Sequence, residues 1–189
     1  MTVEEIYSKL ANHMLQGIMT HEEFANYYDF LGLKGYKRCH EYHYLDEICQ
    51  YRGLVRYFIN HHNKLIETEI EAESVIPESW YRYTRQDVDA TTKRNAVKSG
   101  LQKWVQWERS TKHLYEQMYQ ELMKIDEVAS ACKVKELIMH VDCELKKAER
   151  YLLCKEATNF DLGSIIAEQS HKHDKYRKKI MKDVKVELC

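Results

Sequence analysis

Glu108 is the residue with the clearest claim to chemistry. It stands in the middle of an apolar helical stripe, with Leu101 and Trp104 on one side and Tyr115 and Met118 on the other. A carboxylate buried alone costs several kcal/mol or stays protonated, so it needs a partner. A metal, a His, an Arg or a Lys would serve; the plainer reading is a buried salt bridge or a hydrogen bond to one of the 14 tyrosines. His40, His43 and Glu47 fall within two turns of the second helical segment, and His43 and Glu47 have the i, i+4 spacing that can offer two ligands to one ion. His140 and Glu144 repeat that spacing on the fourth segment, with Glu136 one turn earlier. In a chain with ten histidines such pairs also arise on solvated polar faces. His13 and His21 lie on the first segment, where a single His reads more naturally as a satisfied core residue than as a ligand. Carboxylates and imidazoles together suit iron, manganese or zinc.

Other chemistries have no support. There is no Gly-rich phosphate loop, no G-x-S-x-G elbow and no H-E-x-x-H motif. Lys plus Arg is 29 against 30 for Asp plus Glu, so no global charge draws the chain to nucleic acid or to an anionic membrane. Trp80, Tyr81 and Tyr83 have only Arg82 and Arg85 beside them, too little charge for a nucleic-acid groove, and read as packing. The His171, His173 and Lys-rich stretch reads as the solvated face of a last helix. Cys132, Cys143 and Cys154, spaced by eleven, fall near one helical stripe and read as reduced, half-buried thiols. No basic start is followed by an apolar run, and no apolar stretch approaches the ~18 residues of a membrane span, so a cytoplasmic protein is expected.

The elements that position these residues follow from one count. The chain has 189 residues with Pro 1 and Gly 6, too few turn-formers for anything but a few long helices. Thr2 and Glu5 form a capping-box pattern, and Val3, Ile6, Leu10, Met14, Ile18, Ala25 and Tyr28 continue in helical phase, which predicts one helix over 3–31. Gly32 and Gly35 reverse the chain. A second helix is predicted over about 36–66. Its interior stripe runs through Tyr36, His40, Tyr44, Glu47, Tyr51, Leu54 and Phe58, with a rival stripe through Glu41, Ile48, Val55 and Ile59. Residues 67–90 hold Pro77 and read as a long crossover. A third helix is predicted to about 126, a fourth over 131–156 and a short basic fifth over 164–184. Short loop, long loop, short loop is the connectivity of an all-α four-helix bundle with one crossover, here a single domain of residues 1–189 with its bundle core at about 3–156.

Phe30-Leu31-Gly32-Leu33-Lys34-Gly35-Tyr36 resembles the turn between the first two helices of the ferritin-like superfamily. The resemblance covers about 3–156, with the last helix as counterpart of the ferritins' short one. It implies a buried metal centre with a Glu from each of two helices and a Glu-x-x-His-type pair from the others. The second-helix motif falls on Glu47-x-x-Gln50, with Gln in place of His. The third-helix Glu falls on Glu108, in Trp107-Glu108-Arg109. The first-helix Glu falls on Met14, and the fourth helix offers His140 and Glu144. The ligand set implied is Glu47, Glu108, His140 and Glu144, with His40 and His43 as alternates, for iron or else manganese or zinc. The alternative is a helical scaffold or interaction module on the same fold without a metal. The resemblance also implies self-association, from a homodimer upward.

Overall fold

The computed structural model describes residues 1–69 and 74–183. Five α-helices carry the fold: α1 (Val3–Phe30), α2 (Lys34–His62), α3 (Ala90–Lys124), α4 (Val128–Ala157) and α5 (Leu162–Asp183). No strand occurs among the described residues. The capping box opens α1 as its sequence predicts: Thr2 Oγ1 accepts from the Glu5 amide at 3.2 Å and Glu5 accepts from the Thr2 amide at 2.8 Å. α1 ends where Gly32 takes a positive φ of 72°, and the Leu33 amide donates back to the Tyr28 carbonyl at 2.8 Å. That left-handed residue costs glycine nothing and closes the helix end.

α1 packs along α2 and α3 along α4, giving two hairpins joined by the crossover. α2 stops at Asn63, a left-handed residue, rather than continuing to 66; Leu65 is exposed. Tyr36, His40, Leu54 and Phe58 of α2 are buried while Ile59 is exposed, so the first of the two predicted stripes faces the core. α4 begins three residues before its predicted start. Residues 70–73 of the crossover and residue 184 of the predicted fifth helix lie outside the described residues. The crossover contains two short 3-10 turns, Glu78–Arg82 and Arg85–Asp87. Trp80 packs edge-on against Tyr27 (5.2 Å) and Phe30 (6.2 Å), the packing role predicted for that aromatic group. Asp89 caps α3 by accepting from the Thr92 amide at 2.7 Å.

The interior divides into two apolar clusters. One holds Ile6, Leu10, Met14, Leu54, Phe58, Tyr115, Met118, Leu122, Val134 and Val141. The other holds Phe24, Tyr28, Leu31, Tyr36, Val97, Leu101, Trp104 and Ala148, and extends to Ile165 and Tyr176 of α5. Every bundle helix passes from one cluster to the other, and the residues between are mostly polar. Cys132, Cys143 and Cys154 are free and exposed, because their stripe faces outward rather than to the flank of the core.

α5 docks on α2 and α4 through an unusual basic contact. Lys172, in the stretch expected to be solvated, is buried at 2% exposure. Its Nζ lies 3.9 Å over the Tyr36 ring and 3.6 Å over the Tyr151 ring, and pairs with Glu168 at 2.9 Å. Glu168 also pairs with Lys155. The approach is allowed by Gly35, where an added Cβ would collide with the backbone of Gln169. Gly35→Ala should therefore cost about 1–3 kcal/mol by overpacking. The expected result is a lower unfolding midpoint with α5 amides exchanging faster than those of α1; equal protection in both proteins would refute the role of this contact.

Candidate functional site

At midheight, between the two apolar clusters, all four bundle helices contribute titratable side chains. α1 supplies His21, α2 supplies His40, His43, Asp46 and Glu47, α3 supplies Glu108, and α4 supplies His140, Glu144 and Lys147. His21, His40, His43 and Glu108 are buried. His21 and His40 meet through their Nδ1 atoms at 3.1 Å, so one ring donates and the other accepts. His21 Nε2 lies 3.8 Å from Glu108 Oε1, which also accepts from the Trp104 indole N–H at 2.8 Å. His43 Nδ1 lies 3.2 Å from Glu144 Oε2, and Lys147 Nζ contacts His43 Nε2 at 2.8 Å and Glu144 Oε2 at 3.1 Å. These partners assign His43 as the Nδ1–H tautomer. At the rim His140 Nε2 pairs with Asp46 Oδ2 at 2.7 Å, and Gln50 donates to the same oxygen at 3.0 Å.

Burial dominates the electrostatics. It pushes the Glu108 carboxyl up to about 8, against the opposing pull of the Trp104 hydrogen bond. It pushes Glu47 well above the carboxylate range, helped by the neighbouring charges of Glu108, Asp46 and Glu144. Burial takes His21 down to about 3, and the Lys147 charge adds to that. His40 and His43 are also held well below the usual imidazole value by burial, then by the His21 and Lys147 charges respectively. Glu47, Glu108, His21, His40 and His43 are thus neutral near pH 7. At the rim the directions reverse: the Asp46 hydrogen bond raises His140, and Asp46 itself is lowered because its partners outweigh its burial.

The structure unites the predicted residues in one layer but redistributes the predicted pairs. His43 turns to Glu144 and Lys147 rather than acting with Glu47. His140 turns to Asp46 rather than acting with Glu144. Glu47 faces α1 at Gly17, where an added Cβ would lie 3.4 Å from the Glu47 Cδ and 3.3 Å from Trp107. Gly17, rather than Met14, is therefore the α1 residue opposite Glu47; Met14 belongs to the apolar cluster. Glu47 Oε2 and Trp107 Nε1, both buried, have no hydrogen-bond partner among the described residues. Sequence reasoning placed His21 as an ordinary core residue and passed over Lys147 and Asp46. Only the helical phase of Lys147, three residues past Glu144 and seven past His140, would have put it near the layer.

A two-metal centre of the kind implied by the resemblance does not fit these residues. α1 offers Gly17 in place of a carboxylate, and Gln50 in place of His spends its amide on Asp46. Among the described residues no three His, Cys, Asp or Glu side chains converge as a ready metal site. A single ion is compatible with part of the layer. Two donors each about 2.1 Å from one ion can stand up to about 4.2 Å apart, and His21 Nε2 and Glu108 Oε1 are 3.8 Å apart.

No sequence family matches the chain, and no curated protein matches it. Solved structures do. An engineered closed form of the Archaeoglobus fulgidus ferritin superposes with a TM-score of 0.74 at 12% identity, covering 90% of this chain and 93% of that one. The open-pore ferritin of the same archaeon gives 0.74 at 12% identity, covering 89% and 93%. A crystal of a PmFTN variant soaked in iron gives 0.70 at 12% identity, covering 88% and 97%. The chain has the ferritin-like fold, and at this identity the likeness is one of fold.

Outside the layer, His13 stacks on Trp107 (4.6 Å, 6°) and meets Thr111 Oγ1 at 2.8 Å. Burial lowers it from 6.5 to about 4. A lowered imidazole contributes stability that is present above its unfolded value and lost as pH falls through the folded one. Relative to a His13→Gln variant, the wild type should lose about 1.4 kcal/mol of unfolding free energy per pH unit between 6.5 and 4. Chemical denaturation at half-unit pH steps reads this, and parallel pH curves for the two proteins would refute it.

Proposed function

We propose that this chain is a metal-binding ferritin-like protein that holds one transition-metal ion at the midheight of its bundle. The observation that carries the reading is Glu47, whose Oε2 is buried without a partner among the described residues while the charge of Glu108 pushes its carboxyl further up. Two neighbouring acids in a dry interior must stay protonated or receive a cation. Glu47 and Glu108 are the ligands in this reading, with His21 Nε2 beside Glu108. Of the other predicted ligands, Glu144 and His43 hold Lys147, His140 holds Asp46, and His40 leans on His21. Carboxylate and imidazole donors suit iron foremost, with manganese and zinc as alternatives. The ferritin fold and the iron-soaked relative support iron.

A second reading is favoured by Lys147, whose ammonium already stands in the layer. In it the chain is a helical scaffold or interaction module with its buried acids kept protonated. Elemental analysis after anaerobic loading with Fe, Mn or Zn separates the two. The metal reading expects about one equivalent per chain, falling at least tenfold in affinity in Glu108→Ala, as loss of a principal ligand requires. Absence of metal from the reloaded wild type would refute the metal reading; unchanged metal in the variant would refute the ligand choice.

Self-association belongs to the same proposal. α4 leaves Val128, Met139 and Leu153 exposed at 56%, 64% and 65%, on one outward stripe. In a homo-oligomer this outward face of α4 would meet a second copy, which is where these side chains would be covered. No helix among the described residues is long and apolar enough to cross a membrane. Light scattering should give a multiple of 22.7 kDa that falls toward one chain in Met139→Lys; a 22.7 kDa particle for the wild type at high concentration would refute it.

A further inference from the structure

Lys147 is placed as a bound cation would be. It reaches inward from α4 with its side chain only 15% exposed. Its Nζ lies 2.8 Å from His43 Nε2 and 3.1 Å from Glu144 Oε2, and 5.7 Å and 5.3 Å from the ring centres of Tyr42 and Tyr176. An imidazole lone pair, a carboxylate oxygen and two aromatic faces are the surroundings a cation seeks. The same His43 lone pair is the one a metal would need, because the Nδ1 side of that ring is already turned to Glu144 at 3.2 Å. Two cations cannot share these donors: at about 3 Å their repulsion in a low-dielectric interior exceeds what either gains.

We infer that the Lys147 ammonium is the resident cation of a second interior position, formed by His43 Nε2 and Glu144 Oε2, and that this position accepts a divalent metal once the ammonium is removed. The inference rests on the proposed function only for the count at the first position, Glu47 and Glu108. It explains why, among the described residues, a layer with so many metal-type donors gathers no three of them around one point: part of the donor set is spent on a cation that the chain carries covalently. The second position has one imidazole and one carboxylate, so it would take an ion with mixed N/O preference and complete its shell with water.

Cobalt(II) is a suitable probe because its visible spectrum reports nitrogen ligation. Titrations of wild type, Lys147→Ala and Lys147→Arg, followed by absorbance and calorimetry, give the stoichiometries. Lys147→Ala should bind one equivalent more than wild type, and adding His43→Gln to it should remove that equivalent. Lys147→Arg, which keeps a cation at the site, should bind as wild type does. Wild type at zero and Lys147→Ala at one would uphold this inference while refuting the proposed function. Equal stoichiometry in wild type and Lys147→Ala, with helicity intact, would overturn it. A metal-free reading guards the result: the ¹⁵N shifts of His43 should show an Nδ1–H tautomer with a hydrogen-bonded Nε2 in wild type. Loss of the Nε2 hydrogen-bond signature is expected in Lys147→Ala. A His43 spectrum unchanged by that substitution would equally overturn the inference.

Discussion

A carboxylate, an imidazole or an ammonium taken into the interior of a helical bundle gives up several kcal/mol of hydration, and something inside must replace it. Most of this protein's internal architecture answers that requirement. Nine titratable side chains from four helices meet at midheight, with an apolar cluster above and another below. The inner members pair or become neutral: Trp104 serves Glu108, His21 and His40 share a proton, and Lys147 answers Glu144 and His43. Glu47 is the exception, with one oxygen unserved, and it stands where α1 has no side chain. A glycine inside a helix of 28 residues is disfavoured by about 0.5–1 kcal/mol. Here it admits the Glu47 carboxyl and the Trp107 ring against the α1 backbone.

The same problem is solved differently at the α5 contact. There Lys172 is covered by two tyrosine rings and neutralised by Glu168, which also pairs with Lys155. Burial lowers the Lys172 ammonium, yet the faces of Tyr36 and Tyr151 and the carboxylate supply what water would. Lys147 and Lys172 thus both reach inward, from neighbouring helices. Each is held by a carboxylate one turn or less away on its own helix, Glu144 and Glu168.

Much of the fold was legible in the chain because it depends on local order. Thr2, Glu5, Gly32 and Gly35 determine where α1 begins and where the chain reverses, through bonds within a few residues of each. The 3.6-residue recurrence of apolar side chains marked each helix to within about four residues of its ends. The end of α2 was misplaced because Leu65 and Ile66 keep the apolar phase while Asn63 takes the left-handed backbone that stops the helix. The outward turn of Cys132, Cys143 and Cys154 was missed for a related reason: their stripe lies close enough to the core flank that phase alone does not assign it.

The candidate site divides along the same line. The sequence by itself determined that Glu47 and Glu108 would be drawn inward, since each sits on an apolar stripe whose burial carries it along. It likewise put His40 on the same stripe of α2 as Glu47, while leaving His43 off that stripe, and named the ferritin-like fold that brings four such helices together. Which side chain meets which was decided only by the tertiary structure. His43 to Lys147 and Glu144, His140 to Asp46, and Glu47 to Gly17 are contacts between helices, over 100 residues apart for the His43–Lys147 bond. Such contacts depend on the relative rotation and height of two helices, and a shift of one residue along a helix turns a side chain by about 100°. Periodicity within one helix carries no information about that register. Packing of the two apolar clusters sets it, and the polar layer between them takes the pairs that this packing leaves.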